Sequence, residues 1–91
     1  MIKELVIIDV NSTNIEKILD KLTENPRIKW TCGGQKPNTW NPYIKTSMVK
    51  EHHTIELNYN TQGELSWNDK DAHLLKKVLA VTTASEFLQS E

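Results

Sequence analysis

Apolar and polar residues follow clear periods in the first third of the chain. Residues 2 to 10 are almost continuously apolar, which is typical of a short central strand buried on both faces. Four apolar residues then follow a helical spacing: Ile15, Ile18, Leu19 and Leu22. Thr13 and Glu16 match a capping box, so we predict that a helix begins there. It should end at Asn25-Pro26, because the residue before a proline is pushed out of the helical region.

Residues 27 to 32 alternate with a period of two, which predicts a second strand. The side that we expect to face the core carries Ile28, Trp30 and Cys32. The side that we expect to face solvent carries Arg27, Lys29 and Thr31. Residues 33 to 45 show no period and are rich in glycine, proline, asparagine and threonine, so we expect a long loop there. Loops of this length are uncommon inside a compact domain and are often functional.

The second half of the chain predicts a hairpin followed by a mixed segment. A short strand is expected at residues 47 to 50, and residues 54 to 59 alternate as a half-exposed strand. Turn residues at 60 to 63 and a further alternation at 64 to 67 complete a β-hairpin. Residues 69 to 80 suit either one helix, or a turn or short helix and then a strand at Val78 to Val81. We favour the second interpretation.

In that interpretation Thr83 and Glu86 cap a final helix that carries Phe87 and Leu88. The order of elements is then β-α-β-loop-β-β-β-α, over a single domain of residues 1 to 91. This order predicts an α+β fold, with a mainly antiparallel sheet of about four to five strands and two helices on one face.

Charge is segregated along the chain although the net charge is only -1. Residues 27 to 50 contain basic residues and no acid, whereas both flanking segments are acidic. A basic segment of this kind attracts phosphates, or it is simply a solvated loop. The lack of a bilayer-length apolar run and of a secretory leader predicts a cytoplasmic protein that does not insert in membranes. The single cysteine is expected to be a reduced thiol.

Catalytic and metal-binding patterns are weak. Cys32 with His52, His53 and His73 lacks the spacing of a structural zinc site, so we expect no metal and no cofactor. Cys32 beside Gly33 could be a nucleophile with a histidine base, but a buried core cysteine is the preferred reading. Phosphate-loop and dinucleotide-binding glycine patterns are absent. We therefore expect a protein that is not an enzyme.

Six residues of the loop are our candidates for binding a ligand or partner. They are Gly33, Gly34, Lys36, Trp40, Tyr43 and Lys45. The glycines let backbone N–H groups turn toward an anion, and the lysines add charge. Trp40 has no alternating apolar neighbours, which favours a surface aromatic that stacks on a base or enters a partner's pocket. The alternative is that Trp40 packs into the hydrophobic core from the loop, as tryptophans of small domains often do.

The order of four short motifs resembles a loose class of small phage-encoded accessory proteins. The motifs are Trp-x-x-Gly at residues 30 to 33, Pro-x-x-Trp at 37 to 40, Gly-x-Leu-x-Trp at 63 to 67 and Thr-x-x-Glu-Phe-Leu at 83 to 88. The resemblance implies function by binding: counter-defence or host takeover, by sequestering a nucleotide second messenger or by inhibiting a host defence protein. The first strand falls outside this pattern.

Three other hypotheses remain open from the sequence. The protein could be a small module that binds single-stranded nucleic acid, since aromatic residues and lysines are interleaved. It could be a minor enzyme that uses Cys32 or a histidine. It could also be an assembly component whose loop is buried in a homo-oligomer, because small domains often gain stability by association.

Overall fold

The structure is a computed structural model, which describes residues 4–45, 54–69 and 80–89. Its elements, in chain order, are strand β1 (Leu5–Val10), helix α1 (Ile15–Thr23), strand β2 (Lys29–Trp30), a short 3-10 helix (Pro37–Thr39), helix α2 (Pro42–Lys45), strands β3 (Ile55–Tyr59), β4 (Glu64–Asp69) and β5 (Val81–Thr83), and helix α3 (Ala84–Gln89). The strand predicted at residues 47 to 50, and the turn or helix predicted after residue 69, lie outside the described residues.

The strands form one five-stranded sheet in the order β2-β4-β3-β1-β5. The three inner strands, β4, β3 and β1, are antiparallel to one another, whereas the edge strands pair in parallel, β2 with β4 and β5 with β1. The predicted α+β fold is therefore confirmed, with an antiparallel centre and two parallel edges. Among the described helices none is long and apolar enough to cross a bilayer.

The core lies where α1 meets the sheet. The predicted apolar stripe of α1 is buried, and it forms one cluster with residues of β1, β3 and β4. Leu57 of β3 is opposite Ile7 of β1 and Trp67 of β4 in the strand register. Glu56 departs from the expected half-exposed pattern, because it is only 2% exposed. Its strand is the middle one of the sheet and is flanked by a strand on each side.

The two long helices begin differently from each other. In α1 the predicted capping box is wrong: the N-cap is Asn14, with no side-chain cap. The carboxamide of Asn11 instead accepts hydrogen bonds from the backbone N–H and hydroxyl of Thr13. A local asparagine turn therefore competes with the cap. In α3 the predicted box is confirmed, since Glu86 N–H donates to the Thr83 hydroxyl at 3.1 Å and Thr83 N–H donates to the Glu86 carboxylate at 3.3 Å.

The hairpin of β3 and β4 is also confirmed. Asn60 closes its turn, because its side-chain oxygen accepts the N–H of Gln62 at 2.9 Å and of Glu64 at 3.1 Å. Gly63 supplies the left-handed residue of the turn, with φ 82°. This hairpin places Leu65 opposite Trp30 of the short strand β2, and that junction builds the candidate site.

Candidate functional site

A pocket of about 420 Å³ opens at the junction of β2, β4 and the loop that follows β2. All three tryptophans of the chain line it. The full lining among the described residues is Trp30, Thr31, Cys32, Gly33, Gln35, Trp40, Leu65, Ser66 and Trp67. None of these residues carries a formal charge. We call this site the tryptophan pocket.

Trp30 forms the floor of the tryptophan pocket and anchors the loop around it. It is 5% exposed, and its indole N–H donates to the carbonyl of Pro37 at 2.9 Å. Its backbone N–H donates to the backbone carbonyl of Gln35 at 2.8 Å, and its own carbonyl accepts the N–H of Gly34 at 3.1 Å. These bonds fold residues 31 to 35 into a tight turn. Gly34 has φ 63°, a left-handed conformation that side-chain-bearing residues rarely adopt.

Trp40 forms a side wall of the tryptophan pocket. Its ring centroid lies 4.9 Å from that of Trp30, and the two planes are inclined at 74°. The ring is half-buried and packs against the core cluster, so it is not the isolated surface aromatic that the sequence favoured. The loop is also more regular than expected. It contains the 3-10 helix and α2, and prolines begin both, because proline suits the first helical position.

Strand β4 supplies a further part of the lining, with Leu65, Ser66 and Trp67. Trp67 was predicted to be a core residue, and the structure shows it half-buried, packed against the core cluster and lining the pocket. Sequence reasoning missed Thr31, Gln35, Leu65 and Ser66 as lining residues. The parallel pairing of β2 with β4, in which Trp30 lies opposite Leu65, brings these segments together. No local pattern reveals that pairing, because the two strands are far apart in the chain.

Some polar side-chain groups of the lining form hydrogen bonds within the protein, and others form none with a described residue. The Thr31 hydroxyl donates to the Leu65 carbonyl at 3.1 Å, and the Ser66 hydroxyl donates to the Asn58 side chain at 2.9 Å. The Gln35 carboxamide and the indole N–H groups of Trp40 and Trp67 form no hydrogen bond with a described residue. An occupant can therefore use these three groups without breaking a bond inside the described part of the protein.

The position of Cys32 contradicts the prediction that this residue is buried in the core. It was expected on the core side of its strand, beside Trp30, but it is exposed and lines the pocket. The reason is that β2 ends at Trp30 and the chain turns at the two glycines, so the strand alternation does not reach residue 32. Ile28 and Trp30 are buried as predicted.

The six predicted binding residues are not brought together at one place. Gly33 and Trp40 line the tryptophan pocket, while Gly34 and Lys36 are exposed and flank lining residues in the chain. Tyr43 is half-buried and donates its hydroxyl to the Val10 carbonyl at 2.9 Å, and burial raises its pKa to about 12. Lys45 is the last residue of α2.

The zinc alternative cannot be placed, since His52, His53 and His73 lie outside the described residues. Within the described ranges no group of three His, Cys, Asp or Glu residues could hold a metal ion. Comparison with protein-family models, curated proteins and solved structures finds no match to this chain.

Proposed function

We propose that this protein is a non-catalytic binding protein, of the counter-defence or host-takeover kind, that sequesters a nucleotide by holding its base in the tryptophan pocket. One observation carries the proposal: three tryptophans from two distant segments converge on one uncharged pocket of about 420 Å³. That volume lies at the lower end of the range of about 300–1,000 Å³ that is usual for small-ligand sites.

The chemistry of the lining suits a flat, neutral ring. Tryptophan offers a large apolar face at little cost in conformational entropy, and stacking a base on an aromatic side chain contributes about 1–3 kcal/mol. Trp40 and Trp67 are only half-buried, so part of each ring remains accessible to an occupant. Trp30 is itself fixed by its bond to Pro37, so the floor of the pocket is already in place before binding.

The arrangement favours a single nucleotide over a strand of nucleic acid. Proteins that bind single strands spread aromatic residues along a groove, so that successive bases stack in turn. Here the tryptophans meet at one pocket. Lys36 is exposed and follows the lining residue Gln35 directly, so it is the cation that we assign to the phosphate outside the pocket.

Isothermal titration calorimetry with a panel of linear and cyclic nucleotides tests the proposal, and tryptophan fluorescence gives a second measure of binding. We expect at least one nucleotide to bind the wild type, and Trp67→Ala to weaken it roughly tenfold or more. Phe87→Leu is the matched control, because Phe87 is also half-buried against the core but does not line this pocket. Equal loss in the two variants, or no binding by any nucleotide, would contradict the proposal.

Inhibition of a host protein is the second candidate, and one observation favours it. Ile44 of α2 is 67% exposed, and it is the most exposed large apolar side chain among the described residues. If this residue belongs to a docking surface, Ile44→Ser should abolish the protein's activity in cells while nucleotide binding remains unchanged. Full activity of that variant would remove the second candidate.

A further inference from the structure

The tryptophan pocket contains one side chain that can read a base edge as well as hold its face. Gln35 is the single carboxamide among the described lining residues. Its carboxamide presents an N–H donor beside a carbonyl acceptor, and this pair is free of bonds to the described part of the chain. The two side-chain hydroxyls of the lining, those of Thr31 and Ser66, already donate hydrogen bonds to groups of the protein.

The backbone of Gln35 is held in a fixed place. Its carbonyl accepts the Trp30 N–H at 2.8 Å, which ties it to the floor of the pocket. Its Cγ lies 3.9 Å from the position that a Cβ on Gly33 would occupy, so the side chain runs alongside another lining residue. The carboxamide therefore starts from a rigid point at the edge of the pocket, and only its own side-chain torsions remain to be fixed by an occupant.

We propose that Gln35 determines the specificity of the tryptophan pocket, and that the base it selects is of the adenine type. This inference rests on the proposed function. A glutamine carboxamide forms two parallel hydrogen bonds with adenine, accepting from its exocyclic amine and donating to the adjacent ring nitrogen. The purine ring packs against the tryptophans of the lining, and its sugar and phosphate lie outside the uncharged lining.

Adenosine and purine riboside form the decisive pair of ligands, because purine riboside is adenosine without its exocyclic amine. We expect wild type to bind adenosine about tenfold more tightly than purine riboside, the discrimination typical of one bidentate contact. In Gln35→Leu the ratio of the two affinities should fall to near one, because adenosine loses two hydrogen bonds whereas purine riboside loses only the one to its ring nitrogen. Gln62→Leu is the matched control, since Gln62 is an exposed glutamine of the hairpin turn and does not line the pocket.

The outcomes separate this inference from the proposed function. Equal affinity of wild type for the two nucleosides, with binding still lost in Trp67→Ala, overturns the role of Gln35 and leaves the pocket as a base-binding site. A ratio that survives in Gln35→Leu also overturns it. Failure of wild type to bind either nucleoside or any nucleotide overturns both proposals. Thermal unfolding of Gln35→Leu checks that the variant folds, which is expected because the side chain is exposed and its backbone bond is kept.

Discussion

The indole ring of Trp40 meets that of Trp30 edge to face, with ring centroids 4.9 Å apart and planes inclined at 74°. This pair joins the loop after β2 to the hydrophobic core, because Trp30 is buried and Trp40 is half-buried. The same contact shapes two sides of the tryptophan pocket. Stability and ligand binding should therefore respond together when the pair is broken.

Trp40→Ala should lower the free energy of unfolding by about 2 kcal/mol, from the lost aromatic pair and the lost burial of a half-buried ring. It should also weaken nucleotide binding. Urea unfolding followed by circular dichroism measures the first effect. Trp40→Phe keeps an aromatic ring at the contact and should lose clearly less stability. Unchanged stability in Trp40→Ala would show that the pair does not hold the loop.

Thr83→Ala should destabilise the protein by about 1 kcal/mol, because the threonine hydroxyl caps α3 by accepting the N–H of Glu86. Thr13→Ala is the control. The sequence assigns Thr13 the same capping role, but its hydroxyl bonds to Asn11 instead of capping α1. We expect Thr13→Ala to cost less than half as much in the same urea titration. Equal costs would show that Thr13 caps α1 after all.

Cys32 should react with a thiol reagent such as Ellman's reagent in the native protein, since it is exposed. A nucleotide that occupies the tryptophan pocket should slow the reaction, because Cys32 lies in the lining. The rate of absorbance change, with and without saturating ligand, measures both effects. A thiol that becomes reactive only in urea would instead support the buried position that the sequence predicted.

Alkaline pH should destabilise the protein through Tyr43. Burial raises the pKa of Tyr43 from 10.0 to about 12. The unfolded chain loses the hydroxyl proton first, so between these two values the unfolded state binds fewer protons than the native state, and stability falls as pH rises. The stabilisation that comes from the protonated Tyr43 hydroxyl is fully present below about pH 10 and is lost as pH rises from there to about 12.

Tyr43→Phe tests this pH dependence. At neutral pH the variant should have a free energy of unfolding lower by about 1 kcal/mol, because the hydrogen bond to the Val10 carbonyl is lost. As pH rises above 10, its free energy of unfolding should fall less than that of wild type. Urea midpoints at pH 8, 10 and 11.5 give the comparison. Burial also raises the pKa of Tyr59, so Tyr59→Phe should change the alkaline slope in the same direction. Parallel slopes in wild type and Tyr43→Phe would contradict the assignment.

Much of the fold could be predicted because its signals are local. The apolar stripe of α1 follows from the helical repeat, and the hairpin of β3 and β4 follows from alternation on either side of Asn60 and Gly63. The capping box that the sequence predicts at Thr83 is present, and the one that it predicts at Thr13 is not. The difference is that Asn11 lies two residues before Thr13 and offers its backbone and hydroxyl a competing acceptor.

The candidate site could be predicted only in part. The sequence predicts Gly33 and Trp40, since glycines and a tryptophan without alternating apolar neighbours are visible in the sequence itself. Gln35 and Trp67 were not, because nothing near either residue marks it as part of a pocket. Cys32 was placed on the wrong side, since the length of a two-residue strand depends on its partner and not on its own alternation.

The sequence by itself determined the fold class of this protein: an α+β fold whose periodic segments bury their apolar faces, with the unusual residues of the chain concentrated between Arg27 and Lys50. Only the tertiary structure decided that this concentration becomes a pocket. The parallel pairing of Trp30 with Leu65 brings Trp67 to the loop. Pairing between distant strands depends on the packing of the whole sheet, and hydrophobic periodicity within one segment carries no information about it.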